Sequence, residues 1–237
     1  MNYYYNQTEE LLITKALPPS AGLNNPILNV GKIRNSGVEV EINWADSKGG
    51  FDYNIGMNFS TTKNKVVELA DKGQVLYGEG LKYGTEHFPT QTRVGKPIGA
   101  FYLYKTNGLF QSNEEARQYV NADGDEYQPF ADAGDIRYVD VNGDGYIDDD
   151  DKVYCGSGIP TLEVNLNFSA GYKGFDLSVV LGSAWGHKIY NGNKYFYEGM
   201  NSGSNFLTSS LNAWTPQNTN TNIPLSLIHI SEPTRPY

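Results

Sequence analysis

The sequence has little of what several functional classes require. Because it has one cysteine, Cys155, the chain can form neither an internal disulfide nor a cluster of thiol ligands. Lys and Arg number 18 against 27 Asp and Glu, which gives a net charge of −9 over 237 residues. Nucleic-acid binding needs a basic stripe that neutralises phosphates, so this scarcity argues against a nucleic-acid partner. No apolar run approaches the ~20 residues of a membrane-spanning helix.

Patterns that identify enzymes are also missing from the sequence. There is no Gly-x-Ser-x-Gly nucleophile turn and no phosphate-binding Gly-Lys-Thr loop. Glu39 and Glu41 could resemble a glycosidase pair, but on one strand they point to the same side, as polar residues of a lumen wall would. We therefore predict that the chain is not an enzyme and has no catalytic residues.

Aromatic residues and alternating patterns are abundant. The 18 Tyr and 10 Phe suit a wall with an apolar outer face and aromatic girdles. Apolar and polar residues alternate over residues 162–172 and again over residues 175–181, with a predicted turn at 172–175. A second hairpin is predicted from residues 38–44 and 51–59, joined by a turn at 45–50. These two patterns predict an antiparallel sheet.

Other segments carry weaker signals. Residues 94–104 predict a further strand with a glycine kink, because Pro97 cannot donate to a strand ladder. Residues 113–120 predict a short helix with Ser112 or Asn113 as its N-cap. Long stretches rich in Gly, Asn and Asp, at residues 61–91 and 107–160, contrast with the short turns of the hairpins. Outer-membrane barrels show this asymmetry between short turns and long loops.

Alternation alone leaves two architectures open. In a membrane barrel the apolar face of the strands meets lipid, whereas in a soluble β-sandwich it packs against a second sheet. Four large apolar side chains distinguish the two hypotheses, since they face outward in the first and form a core in the second: Trp44, Phe59, Phe168 and Leu177.

Four blocks resemble the C-terminal third of SusC/RagA-type TonB-dependent outer-membrane receptors, and they occur in that family's order. The blocks are NVGKIRNSGVEV at 29–40, VGKPIGAFY at 94–102, GDIRYVDVNGDG at 134–145 and LNAWTP at 211–216. A single block rich in Gly, Asn and Asp would recur by chance. Four in order indicate the family.

The resemblance implies an all-β fold, namely the C-terminal portion of a transmembrane antiparallel β-barrel with long loops, of the twenty-two-stranded plugged class. Residues 1–224 would form this partial barrel domain. It also implies import of glycans or peptides in the outer membrane of a Gram-negative, Bacteroidetes-like cell. The partners would be a SusD-type surface lipoprotein, outer-membrane lipid, and TonB through an N-terminal part that this chain lacks. The alternative is a secreted β-sandwich carbohydrate-binding module with a calcium loop.

The last residues fit neither architecture. Residues 225–237 resemble a translated library adapter, so we predict that they are an artefact and that the chain is a fragment.

One segment carries explicit metal chemistry. Residues 140–151 fit the spacing of a calcium loop, with oxygen ligands at positions 1, 3, 5, 7, 9 and 12 and glycine at position 6. Asp replaces the usual Glu at position 12, which weakens the closing contact. The opposing hypothesis is a solvated turn without an ion. The predicted ligands of a structural Ca²⁺ are Asp140, Asn142, Asp144, the Tyr146 carbonyl, Asp148 and Asp151.

Overall fold

A computed structural model describes residues 1–14, 27–78, 81–83, 85–198 and 205–225. The chain divides into two compact units, one formed by residues 1–78, 90–100 and 156–189, the other by residues 79–89, 101–155 and 190–237. The predicted artefact at 225–237 lies outside the described residues except for Leu225. Among the residues described, no helix is long and apolar enough to span a membrane.

The first unit is an antiparallel sheet of long strands. Its long strands are β1 (Asn2–Thr14), β2 (Ile27–Lys48), β3 (Phe51–Thr61), β13 (Leu162–Tyr172) and β14 (Phe175–Trp185), and the shorter strands of the unit are β4 (Lys63–Glu68), β5 (Leu76–Tyr77) and β8 (Thr90–Thr92). The main path is β1-β2-β3-β13-β14, and β4 pairs with the N-terminal half of β2, called here its outer half. The sheet is open over the described residues, with β1 and β14 at its edges. Strands β5 and β8 pair separately in the same unit.

Both predicted hairpins are confirmed, and the turn of the first is tighter than expected. Lys48 pairs with Phe51 across a two-residue turn, so residues 45–48 belong to β2 rather than to the predicted turn. Tyr172 pairs with Phe175 in the same way, and β14 continues to Trp185. Gly49 and Gly50 have φ of 63° and 80°. Positive φ at both positions is the geometry of a type I′ turn, whose twist matches that of the flanking strands.

The first unit has a small apolar core at the outer half of β2. Val66 and Leu69 are buried there, and Ile33 and Leu76 pack against them. Residues 94–99, predicted as part of a strand, instead form turns that hold β4 in place. The Gly95 amide donates to the Val66 carbonyl at 2.8 Å, and the Val66 amide donates to the Lys96 carbonyl at 2.9 Å. Only residues 100–104 of that prediction are strand.

The second unit fills part of the stretch predicted as a long loop. Phe110, Ala116 and Ala131 form its core, with Tyr119 packed against them. The helix predicted at 113–120 is confirmed as α1, with the Ser112 hydroxyl accepting from the Glu115 amide at 3.1 Å. The elements are β6 (Leu81–Tyr83), β7 (Thr85–His87), β9 (Ala100–Tyr104), β10 (Thr106–Leu109), α1 (Asn113–Gln118), β11 (Ile136–Tyr138), a 3-10 helix (Asp149–Asp151), β12 (Lys152–Gly156), α2 (Gly192–Glu198) and a 3-10 helix (Thr208–Asn212).

Strand β2 pairs with β4 up to Ser36 and with β3 from Glu39, and Gly37 lies at the change between these two partners. The Tyr4 hydroxyl donates to the Thr61 carbonyl at 2.9 Å, just where β3 ends and β4 begins. A Cβ at Gly37 would lie 1.8 Å from that carbonyl oxygen and 2.6 Å from the Tyr4 hydroxyl. The close approach leaves no room for a side chain at position 37.

Gly37→Val is therefore expected to separate β2 from β3 and β4 at this point and to lower the free energy of unfolding by about 2 kcal/mol or more, as overpacking does. Gly50→Asn is the matched control, because Gly50 has open space around it and Asn tolerates positive φ. Denaturant unfolding of the folded protein in detergent measures both. Equal midpoints for the two variants would contradict the prediction.

Candidate functional site

The strand register places the large apolar side chains of the first unit on one face. Ile42, Met57, Leu166 and Leu181 lie side by side across β2, β3, β13 and β14. Alternate side chains of a strand share a face, and the alternate positions along these strands are mostly apolar as well, with Ser183 opposite Val164 and Asp46 opposite Tyr53 among the exceptions. The face therefore extends across four strands.

Aromatic residues lie at both ends of this apolar face. Its central row is aliphatic, and Trp44, Phe59 and Phe168 lie between that row and the ends. Phe51, Tyr172 and Phe175 are neighbours at the end with the two short turns. Trp185 and Tyr3 lie at the other end of the face, where Trp185 pairs with Leu162 and Tyr3 pairs with Val38. Ten residue steps of about 3.3 Å separate the ends, and a strand tilt of about 40° reduces that to about 25 Å across a bilayer. This is the height of the apolar band of outer-membrane barrels.

The apolar face is open rather than packed into a core. Trp44 is 62% exposed, Leu177 is 56% exposed, and Phe59 and Phe168 are half-buried. In a β-sandwich all four would be buried between two sheets. The exposure supports the barrel architecture over the sandwich hypothesis.

The opposite face of the same strands is polar. Glu41, Asn58 and Asn165 are neighbours on β2, β3 and β13, and the Asn43 amide donates to the Glu41 carboxylate at 2.8 Å. Glu39 and Glu41 share this face, as the sequence predicts for lumen-facing residues. An apolar face and a polar face on one sheet separate a lipid surface from an aqueous one.

The acidic loop, defined here as residues 140–151, lies in the second unit and is ordered by its own backbone. Asp140 accepts from the Gly143 amide at 2.6 Å and from the Gly145 amide at 2.9 Å. Asn142 accepts from the Asp144 amide at 2.9 Å, and Asp144 accepts from the Tyr146 amide at 3.0 Å. These repeated side-chain turns give the loop a fixed shape.

Asp151 is the central group of the acidic loop. It is fully buried, and its carboxylate accepts from the amides of Val141 at 2.7 Å, Asn142 at 3.4 Å and Asp148 at 2.8 Å. Asp148 in turn caps the 3-10 helix by accepting from the Asp150 amide at 2.8 Å. The carboxylate at position 12 thus joins the two ends of the loop.

Neighbouring segments of the second unit adjust the protonation of the acidic loop. Desolvation opposes ionisation of Asp140, but hydrogen bonds from the Gly145 and Gly143 amides and the Tyr127 hydroxyl outweigh it, so the pKa of Asp140 is lowered. The pKa of Tyr127 is raised by desolvation and by the charge of Asp140. The Asn121 side-chain amide also donates to the Gly145 carbonyl at 3.1 Å.

The predicted calcium ligands come together only in part. Tyr146 is exposed, and Asp140, Asp144, Asp148 and Asp151 are separately occupied by backbone amides of the loop. Within the described ranges, no three carboxylate, histidine or thiol groups converge as a metal site requires. Calcium binding therefore stays a prediction from spacing, beside the hypothesis of a hydrogen-bonded loop without an ion.

If calcium binds, it is expected to slow hydrogen exchange of the Gly143 and Gly145 amides at least tenfold relative to excess chelator, because the ion would fix the loop. Asp144→Asn should abolish this difference, whereas Asp123→Asn, in an exposed turn outside the loop, should preserve it. Identical exchange with calcium and with chelator would contradict the calcium prediction and support the hydrogen-bonded loop.

The sheet has contributors outside the two predicted hairpins. Tyr3 and Tyr5 of β1 share the face of Val38 and Ser36. Strand β4 is missing from the sequence prediction, which treats residues 61–91 as a long loop. The high β-propensity of Tyr3-Tyr4-Tyr5 was the available signal for β1.

Known proteins resemble this chain over most of its length. No family model matches the sequence. TonB-dependent receptor P3 of Formosa agariphila is 30% identical over 225 residues, which are 94% of this chain and 22% of that protein. TonB-dependent receptor P26 of the same organism is 30% identical over 230 residues. TonB-dependent receptor SusC of Bacteroides thetaiotaomicron is 23% identical over 88% of this chain and 19% of that protein.

Solved structures share the fold at lower identity. The RagAB peptide transporter superposes with a TM-score of 0.66 and 21% identity, covering 94% of this chain and 23% of that one. The RagAB peptide importer in its closed-closed state superposes with a TM-score of 0.63 and 20% identity. The resemblance found in four sequence blocks is thereby confirmed. The chain is thus similar in sequence to TonB-dependent receptors, SusC among them, and similar in fold to the RagAB peptide transporter, and it spans about a fifth of the length of the relatives it matches.

Proposed function

We propose that the chain forms part of the wall of an outer-membrane transporter. The carrying observation is the exposed apolar face, bounded by aromatic residues at both ends and matched by a polar face behind it. A soluble protein would bury a face of this size. A bilayer solvates it, and the polar face then lines an aqueous lumen.

The same proposal includes import of glycans or peptides, driven by TonB and assisted by a SusD-type surface lipoprotein. This part of the proposal is supported by the relatives, which are named as TonB-dependent receptors and as a peptide transporter. The polar wall offers amide and carboxylate groups, such as Asn58, Asn165 and Glu41, that hydrogen-bond equally well to sugars and to peptides. The wall alone does not favour one substrate class.

Thiol labelling of the complete receptor in intact cells tests the placement in the membrane. Native Cys155 is exposed and lies seven residues before β13 begins, at the strand end opposite the short turns. A membrane-impermeant maleimide is expected to label it from outside. In a Cys155→Ser background, Lys48→Cys at the short-turn end should react only after the outer membrane is permeabilised.

Labelling of both positions in intact cells, or recovery of the receptor in the soluble fraction, would contradict the wall proposal. Uptake of a fluorescent oligosaccharide pool and a fluorescent peptide pool then separates the substrate classes. Cells with the receptor should accumulate one pool and lose that uptake when TonB is deleted. Uptake that is independent of TonB would contradict the proposed energy coupling.

A further inference from the structure

The face of β2 that is apolar in the middle of the sheet becomes cationic beyond its aromatic end. Ser36 and Arg34 continue the alternation of Val38, and the β2 register has no shift between Ile33 and Lys48. Strand β4 adds Lys63 opposite Ser36 and Lys65 opposite Arg34. Arg34, Lys63 and Lys65, named here the basic patch, therefore share the outward face of the sheet.

The two carboxylates next to the basic patch are shared with Lys32, which forms ion pairs with Glu9 at 3.2 Å and with Glu68 at 3.9 Å. Lys63 and Lys65 are exposed, and neither forms an ion pair with any residue that the structure describes. A cationic cluster contrasts with the net charge of −9 of the whole chain.

Arg34 is held in position but is not neutralised. Its Nη2 donates to the neutral side chain of Gln7 at 3.3 Å, and its guanidinium lies 5.0 Å from the centre of the Tyr5 ring. Its buried Nε has no hydrogen-bond partner in the structure. Directly opposed like charges such as Arg34 and Lys65 destabilise a sheet, so the arrangement calls for an anion between them.

The position of the basic patch identifies the kind of anion. Tyr3 and Tyr5, at 65% and 52% exposure, lie between the patch and the aliphatic middle of the face. Aromatic residues of this kind occupy the level of lipid headgroups, and basic residues just beyond them lie at the level of headgroup phosphates. Arg and Lys together match phosphate oxygens, the first by paired donors and the second as a point charge.

We propose that Arg34, Lys63 and Lys65 bind the phosphate of a phosphorylated lipid in the outer leaflet, the leaflet at the end of the sheet away from the short turns. This inference rests on the proposed function, because it requires the apolar face to lie in a membrane. The lipid would attach to the outside of the wall, apart from the lumen and from the acidic loop.

Native mass spectrometry of the complete receptor, released from detergent with added monophosphoryl lipid A, tests the proposal. The unsubstituted receptor is expected to retain the lipid, and Arg34→Gln/Lys63→Gln/Lys65→Gln should bind it at least tenfold more weakly. Lys63→Gln/Lys65→Gln alters only exposed side chains and should lose part of the affinity even if the triple variant folds poorly. Lys48→Gln/Lys173→Gln removes two cations from the other end of the sheet and should bind normally.

Three outcomes would overturn the proposal. Equal retention by the unsubstituted receptor and the double variant would show that the patch does not hold the lipid. Displacement of the lipid by millimolar inorganic phosphate would assign the patch to free phosphate. Recovery of the receptor outside the outer-membrane fraction would refute the proposed function as well, whereas correct localisation with unchanged lipid retention would refute the lipid site alone.

Discussion

A positive charge at Leu166 is expected to destabilise the sheet in the membrane, whereas the same charge at its neighbour Asn165 is not. Leu166 lies in the middle of the apolar face, between Met57 and Leu181. Arg at the midplane of a barrel's lipid face costs about 2–4 kcal/mol. Asn165 lies between Asn58 and Gly182 on the polar face, where a charge stays in water.

The comparison of Leu166→Arg with Asn165→Arg controls for strand, depth and side-chain size. Urea unfolding of the complete receptor in lipid vesicles measures the two free energies of unfolding. The expected difference is about 2 kcal/mol or more, in favour of Asn165→Arg. A similar loss in both variants, or a larger loss for Asn165→Arg, would show that the apolar face does not meet lipid.

Asp151→Ala is expected to disorder the acidic loop. The substitution removes the acceptor of three amides, those of Val141, Asn142 and Asp148, within a fully buried site. Hydrogen bonds to a charged group contribute about 1.5–3 kcal/mol each, and the amides left behind are desolvated without a partner. We expect a local loss of about 3 kcal/mol or more.

Hydrogen exchange at the Val141 and Asp148 amides in chelator measures this loss without a contribution from any ion. Asp150→Ala is the matched control, because Asp150 is exposed and precedes Asp151 in the same 3-10 helix. Asp151→Asn should give an intermediate effect, since one oxygen remains to accept. Unchanged exchange in Asp151→Ala would mean that the buried carboxylate does not organise the loop.

The faces of the central strands could be predicted from sequence because their alternation is uninterrupted. Apolar residues alternate with polar or small ones from Leu162 to Tyr172, and the register places each kind on its own face of the sheet. The sequence predicts a longer turn at 45–50 than the structure has, because residues 45–48 carry no apolar alternation. In the structure the Ser47 hydroxyl donates a hydrogen bond to the Asp52 carboxylate across the hairpin. Polar contacts therefore extend the strand beyond the last apolar side chains.

The acidic loop was recognisable from spacing, but its environment was not. Tyr127 and Asn121 contact the loop from 13 and 24 positions away in the chain, as measured to Asp140 and Gly145. Such partners are set by tertiary folding, which local patterns do not encode. The same limit applies to residues 94–99, where hydrogen bonds to Val66 favour turns over the predicted strand.

The length of β2 has a mechanical consequence. Its 22 residues pair with β1 and β4 in the N-terminal half and with β3 further along, without a break in the strand. Ladder bonds lie perpendicular to the strands, so a pull along β2 loads many of them in parallel, as shear. Tension on its outer end is therefore shared among several neighbours at once, and the strand resists extraction far better than one that could be peeled off bond by bond.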